Sequence, residues 1–169
     1  MLKSAKNFTA LAALLALTVA TTAEARQGSF RARGANGAVS GATGARGTAV
    51  RGHGTTTNAD GSTTRVSAGA FRGTNGSSGY RASAITANPD GSVTRTGEAA
   101  ASGPRGNAAS SGSFTRAADG TWSGGRSTTG TNATTGNSYS GSTTIDPATA
   151  KPVHSGTCTD ASGAIISCR

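Results

Sequence analysis

The stretch NPDGSVTR, residues 88–95, repeats almost letter for letter a stretch thirty residues earlier, NADGSTTR at 58–65. Each position of the later copy has a physical use in a chain reversal. The Asn88 side chain can bond backbone beyond the corner, and Pro89 presets φ near −65°. Asp90 tolerates the third corner, and Gly91 takes the positive φ that closes a bulged hairpin. The earlier copy keeps Asn58, Asp60 and Gly61, and a third site keeps the pair Asp119-Gly120. Asp160-Ala161-Ser162-Gly163 fits a related hairpin loop, and Asp146-Pro147-Ala148-Thr149 reads as a turn without glycine.

Weaker punctuation falls between these sites, at Asn75-Gly76, Arg105-Gly106-Asn107 and residues 132–137. Turn signals thus recur at about strand-length intervals, and no 3.6-residue helical pattern appears between them. A repeat of about thirty residues holding two strands predicts an all-β chain. The first architecture it predicts is an antiparallel meander of hairpins. A β-solenoid with two strands per coil has the same period, and a largely disordered chain is the remaining alternative. Alternation is weak: Val66, Ala68 and Ala70 share a face, whereas Phe71 falls on the other. Such patterning specifies register loosely.

Residues 1–25 read as a secretory signal peptide. Lys3 and Lys6 precede the apolar run from Phe8 to Ala20, and Ala23-Glu24-Ala25 supplies a small-x-small cleavage pattern. The apolar run is shorter than the roughly 20 residues that span a bilayer. Every leucine lies at or before Leu17. Fifteen larger apolar residues remain after Arg26, amid mostly Gly, Ala, Ser and Thr. At about 2 kcal/mol each, they fall far short of what orders a domain around a conventional core. Residues 26–54 are glycine-rich and basic, with no acidic residue. They read as a flexible arm ahead of a hairpin region over 55–169.

Cys158 and Cys168 flank the last turn. In an exported chain they are expected to form a disulfide that staples the C-terminus. His154 lies near Cys158, but three scattered ligands make a poor zinc site once the cysteines pair. The NxDG turns fail as calcium loops, because Thr56 and Ser67 flank the first copy where acidic ligands belong. Scattered Thr pairs lack the fixed register of an ice-binding array. No nucleophile motif or water-excluding pocket supports catalysis. The expectation is therefore a non-enzymatic chain without metal or cofactor.

Arginine is the informative charge. Net charge is +9, and thirteen arginines face a single lysine, Lys151, beyond the signal segment. Several stand beside aromatics, as in Phe30-Arg31, Phe71-Arg72 and Tyr80-Arg81. Charge with stacking suits anionic polymers. Arg26, Arg31, Arg33, Arg46 and Arg51 of the arm, with Arg72 and Arg81, are the candidate polyanion-binding set.

Thr159-Asp160-Ala161-Ser162-Gly163-Ala164-Ile165 resembles the D-x-x-G-x-I/L core of YD-type β-hairpin repeats of bacterial surface proteins. The unit around Ile145-Asp146 is similar, and Ile145 and Thr159 stand where those repeats carry tyrosine. More broadly, the chain resembles small exported Gly/Ala/Thr-rich repeat proteins of Gram-negative bacteria. The resemblance implies a periplasmic, extracellular or cell-surface location. Two functions follow as expectations. One is a structural surface or matrix protein that self-associates. The other is a cationic protein binding lipopolysaccharide, acidic polysaccharide or extracellular DNA.

Overall fold

The repeated octapeptide is a hairpin turn in the computed structural model, which describes residues 28–168. Asn58 N–H donates to Ser62 O at 2.8 Å, and Gly61 N–H donates to Asn58 O at 3.0 Å. The second copy repeats both bonds from Asn88 and Gly91, at 2.9 and 3.0 Å. Gly61 and Gly91 have φ of +81° and +84°, a region that L side chains rarely enter. Ala117–Thr121 makes the same pair of bonds with Gly120, and Gly73–Ser77 does so with Gly76. At the last turn Asp160 N–H bonds Ala164 O, and Gly163 N–H bonds Asp160 O.

These reversals join eleven strands: β1 (Gly28–Gly34), β2 (Gly37–Gly44), β3 (Gly47–Thr57), β4 (Thr63–Gly73), β5 (Ser78–Ala87), β6 (Val93–Gly103), β7 (Gly106–Arg116), β8 (Trp122–Asn132), β9 (Ser138–Ile145), β10 (Pro152–Thr159) and β11 (Ile165–Ile166). They form one sheet in strict chain order, and every neighbouring pair is antiparallel. The fold is the meander, so the solenoid and the disordered alternatives do not describe residues 28–168. Two strands, up and back, return the chain to the same end of the sheet two places along. The thirty-residue repeat is that return.

The basic arm is a correction. From Gly28 onward it forms β1, β2 and most of β3. Its glycines looked like flexible linker, but several mark strand ends. Gly34 pairs with Gly37, and Gly44 with Gly47, each closing a two-residue hairpin loop. Residues 1–27, including the signal segment and Arg26, lie outside the described residues.

Very little is buried. Val50 and Ala84 are each 6% exposed, and Ser62 is 1% exposed. A conventional core is absent among the described residues, as the composition requires. Cohesion comes from the backbone ladder and from cross-strand pairs, the unit of sheet stabilisation. One pairing recurs: Phe30 faces Gly41, Phe71 faces Gly79, Phe114 faces Gly124, and Tyr139 faces Gly130. The ring leans over a neighbouring glycine in three cases. A side chain placed at Gly41 would meet Phe30, one at Gly79 would meet Phe71, and one at Gly156 would meet Tyr139. Aromatic cover of strand glycines helps fix register where hydrophobic alternation does not.

Register divides the residues between two faces. One carries Thr56, Thr64, Thr86, Thr94 and Thr115 in a single rank across the strands. Thr64 and Thr86 hydroxyls bond at 3.0 Å, and those of Thr94 and Thr115 at 3.1 Å. The other face is different in kind.

Candidate functional site

Side chains alternate along a strand, so the pairings fix which arginines point together. Arg31, Arg33, Arg51, Arg65, Arg81, Arg95, Arg116 and Arg126 all share the face opposite the threonine rank, and all are exposed. Among the described residues no carboxylate joins them. Glu98 pairs with Ala82 and Ser111 on the threonine face, as does Arg72 with Thr48 and Ser78. Asp60, Asp90, Asp119, Asp146 and Asp160 sit in turns.

The arginines avoid one another at closest range. Across the sheet runs the rank Arg31, Ser40, Arg51, Gly69, Arg81, Ala99, Ser110, Thr128. Two ranks along, the same face reads Arg65, Ile85, Arg95, Phe114. Each arginine thus has a small or apolar residue directly opposite. Like charges in those positions destabilise a sheet, and spacing by two strands, roughly 9.5 Å, relieves that repulsion while keeping one sign of field.

Two arginines are held by hydroxyls. Arg126 Nε donates to Ser110 Oγ at 2.6 Å, and Arg51 Nε donates to Ser40 Oγ at 3.3 Å. Between them lies an open groove of about 530 Å³, lined by Arg51, Arg81, Arg126 and the Phe71 ring over a floor of small residues such as Gly69 and Ala99.

Of the arginines singled out in the sequence, Arg31, Arg33, Arg51 and Arg81 lie on this face. Two lie elsewhere. Arg46 sits in the β2–β3 turn. Arg72 points the other way, because it follows Phe71 directly and adjacent strand residues take opposite faces. Arg65, Arg95 and Arg126 share the face without having been singled out, and Arg116 shares it too, standing beside Phe114 but left out of the candidate set. The signal was in the repeat itself: Arg65 and Arg95 end the two octapeptides, and Arg51 and Arg81 are also thirty apart. A period of two strands preserves the face.

The turn residues are gathered mainly at one end. The loops holding Asp60, Asp90, Asp119 and Asp146 follow β3, β5, β7 and β9, whereas Asp160 follows β10 at the other end. Asp60 Oδ1 accepts from Ser62 Oγ and Ser62 N–H, at 2.7 and 2.9 Å. Those bonds hold its carboxyl below the usual carboxylate range, and Ser92, Thr121 and Ser162 do the same for Asp90, Asp119 and Asp160. At Asp146 the Ala148 N–H leads, followed by the Thr149 hydroxyl.

Cys158 and Cys168 form the expected disulfide, with Cα atoms 5.4 Å apart. His154 Nδ1 lies 2.8 Å from Thr143 Oγ1. Among the described residues no group of three or more His, Cys, Asp or Glu side chains is placed to hold a metal ion, and no helix is long and apolar enough to cross a membrane. Compared with protein-family models, curated proteins and solved structures, the chain matches none.

Proposed function

We propose that this chain is an exported, non-enzymatic sheet protein that lays its arginine face on an anionic polymer of the cell envelope or its surroundings. The observation that carries the reading is the sorting of eight exposed arginines, with no carboxylate beside them among the described residues, onto one side of a single-layer sheet. Solubility alone asks for scattered charge of both signs. A one-signed face focuses potential and draws in a polyanion. The disulfide fits an oxidising compartment.

The test is binding to dextran sulfate across a salt series. Affinity should fall steeply with salt, because each neutralised polymer charge releases a counterion. Replacing Arg81 and Arg95 together with glutamine should weaken binding and flatten the salt slope. Arg72→Gln, on the opposite face, should change neither. Equal losses from both variants, or no binding at low salt, would remove the reading.

A second reading, self-association in a surface or matrix layer, rests on a different observation. Among the described residues β1 is paired on one side only, and the threonine face is almost uncharged. An open edge and a nearly neutral face are templates for a second chain. Association of this kind should persist at high salt, which sedimentation velocity can read.

A further inference from the structure

We infer that the groove around Arg51, Phe71, Arg81 and Arg126 takes a linear acidic polysaccharide with carboxylates on alternate sugars. The inference rests on the arginine-face reading and names the polymer for it. Three features of the groove bear on the choice.

The first is spacing. Arg31, Arg51 and Arg81 stand in one rank on every second strand. Arg126 belongs to β8 but reaches the same rank by bonding Ser110 on β7. The strand positions that carry or receive these side chains therefore recur about every 9.5 Å across the sheet, with the Arg51 guanidinium leaning from β3 toward Ser40 on β2. Carboxylates on alternate sugars of an extended glycan recur at the length of a disaccharide, which matches two strand steps. Phosphates along one strand of duplex DNA recur about every 3.4 Å of helix axis, a denser charge than this rank of arginines can match one for one.

The second is geometry at the charge. With Nε engaged by Ser110, Arg126 keeps its two terminal amino groups for a carboxylate, the paired donation that distinguishes guanidinium from ammonium. The third is the floor. Gly69 and Ala99 keep the space between arginines open, and Phe71, leaning over Gly79, is 45% exposed. A sugar ring can set its carbon-bound hydrogens against that aromatic face and a hydroxyl against Thr128, whose Oγ1 bonds Ser110 at 3.0 Å and keeps acceptor capacity. A nucleic acid gains its sequence-tolerant affinity from successive aromatic platforms; of the two aromatic residues lining this groove, Tyr80 pairs with Ala70 and Ala100 on the opposite face, which leaves Phe71.

The experiment titrates the full mature chain with an oligosaccharide alternating uronate and neutral sugar. An uncharged glycan of the same length and a single-stranded oligonucleotide of equal charge are the comparisons. The uronate oligosaccharide should bind best and the uncharged glycan not at all. Arg81→Gln should weaken uronate binding roughly tenfold, the loss of a charge-assisted contact, and Phe71→Ala several-fold. Arg116→Gln, on the same face but outside the rank, should change it less than twofold. Circular dichroism of each variant must keep the wild-type sheet spectrum, and Arg81→Lys, which keeps the charge without the fork, should restore part of the affinity. Preference for the oligonucleotide would overturn the polysaccharide and leave the arginine face standing. Equal losses from Arg81→Gln and Arg116→Gln would overturn the groove. No binding of either anion at low salt would overturn the face itself.

Discussion

Ser62 donates its hydroxyl to Asp60 Oδ1 at 2.7 Å and is the most buried side chain described, at 1% exposure. The same hydroxyl oxygen accepts from Asn58 Nδ2 at 2.8 Å, and that amide also reaches Thr64 Oγ1 at 3.0 Å. Thr64 in turn meets Thr86 on the next strand. A turn and two strands are therefore tied through one serine. Ser62→Ala leaves one Asn58 amide hydrogen without its partner and removes a donor from a carboxylate, which should cost about 1–3 kcal/mol. Ser92→Ala should cost less, because Ser92 is only half-buried and water can replace it. Urea unfolding of the two variants gives the comparison, and a larger loss at Ser92 would contradict it.

The turn carboxylates make stability depend on pH in one direction. Asp60, Asp90, Asp119 and Asp160 are each held below their ordinary pKa by hydrogen bonds that their charged form accepts. A group whose pKa is depressed on folding stabilises the fold above its unfolded value, near 3.9. That contribution is lost as pH falls through the folded value. Tm should therefore be nearly flat above about pH 5 and fall below about pH 4. Asparagine at these positions should flatten the acid limb, since Asn75 Oδ1 already accepts from Ser77 N–H and Oγ at 3.1 and 2.6 Å in an equivalent turn. An acid limb unchanged in the quadruple Asp→Asn variant would place the dependence elsewhere.

The same turns explain how much of the fold could be read in advance. Asp-Gly pairs with strand-length spacers define a meander because their chemistry is local: Gly61 and Gly91 need positive φ wherever they stand. Register and facing were harder to read. Hydrophobic alternation is the usual guide, and β4 holds Val66 on one face and Phe71 on the other. Here alternation is written in charge, with Arg65, Arg81 and Arg95 at positions that become one face only after the pairings are known. The first three strands were hidden for a related reason. Their glycines act as hairpin ends and as the seat of the Phe30 ring at Gly41, and neither use is visible without a partner strand.

The C-terminal staple should matter most to the strands beside it. β11 pairs with β10 at only two positions, too few to hold a terminal strand against fraying. The Cys158–Cys168 bond closes a ten-residue separation, worth roughly 2.5–3 kcal/mol in the chain-entropy account. Replacing both cysteines with serine should release β11 and speed amide exchange in β10 first, leaving β4–β7 protected. Uniform acceleration across the sheet would show that the bond supports the whole meander cooperatively.

The aromatic–glycine pairs predict a change of sign. Gly41 faces Phe30, and a Cβ built at Gly41 has ring atoms of Phe30 as its three nearest neighbours. In a strand interior, alanine is ordinarily better than glycine by about 0.5–1 kcal/mol, because it loses less backbone entropy. Gly41→Ala should not bring that gain while Phe30 is present, since the new methyl displaces the ring. With Phe30→Ala already made, the methyl enters open space and the gain should appear. The coupling between the two changes, read from denaturation midpoints in a double-mutant cycle, should be about 1 kcal/mol or more. Additive effects would mean that the ring does not rest on Gly41 in solution, and that register at this edge is held by the backbone ladder alone.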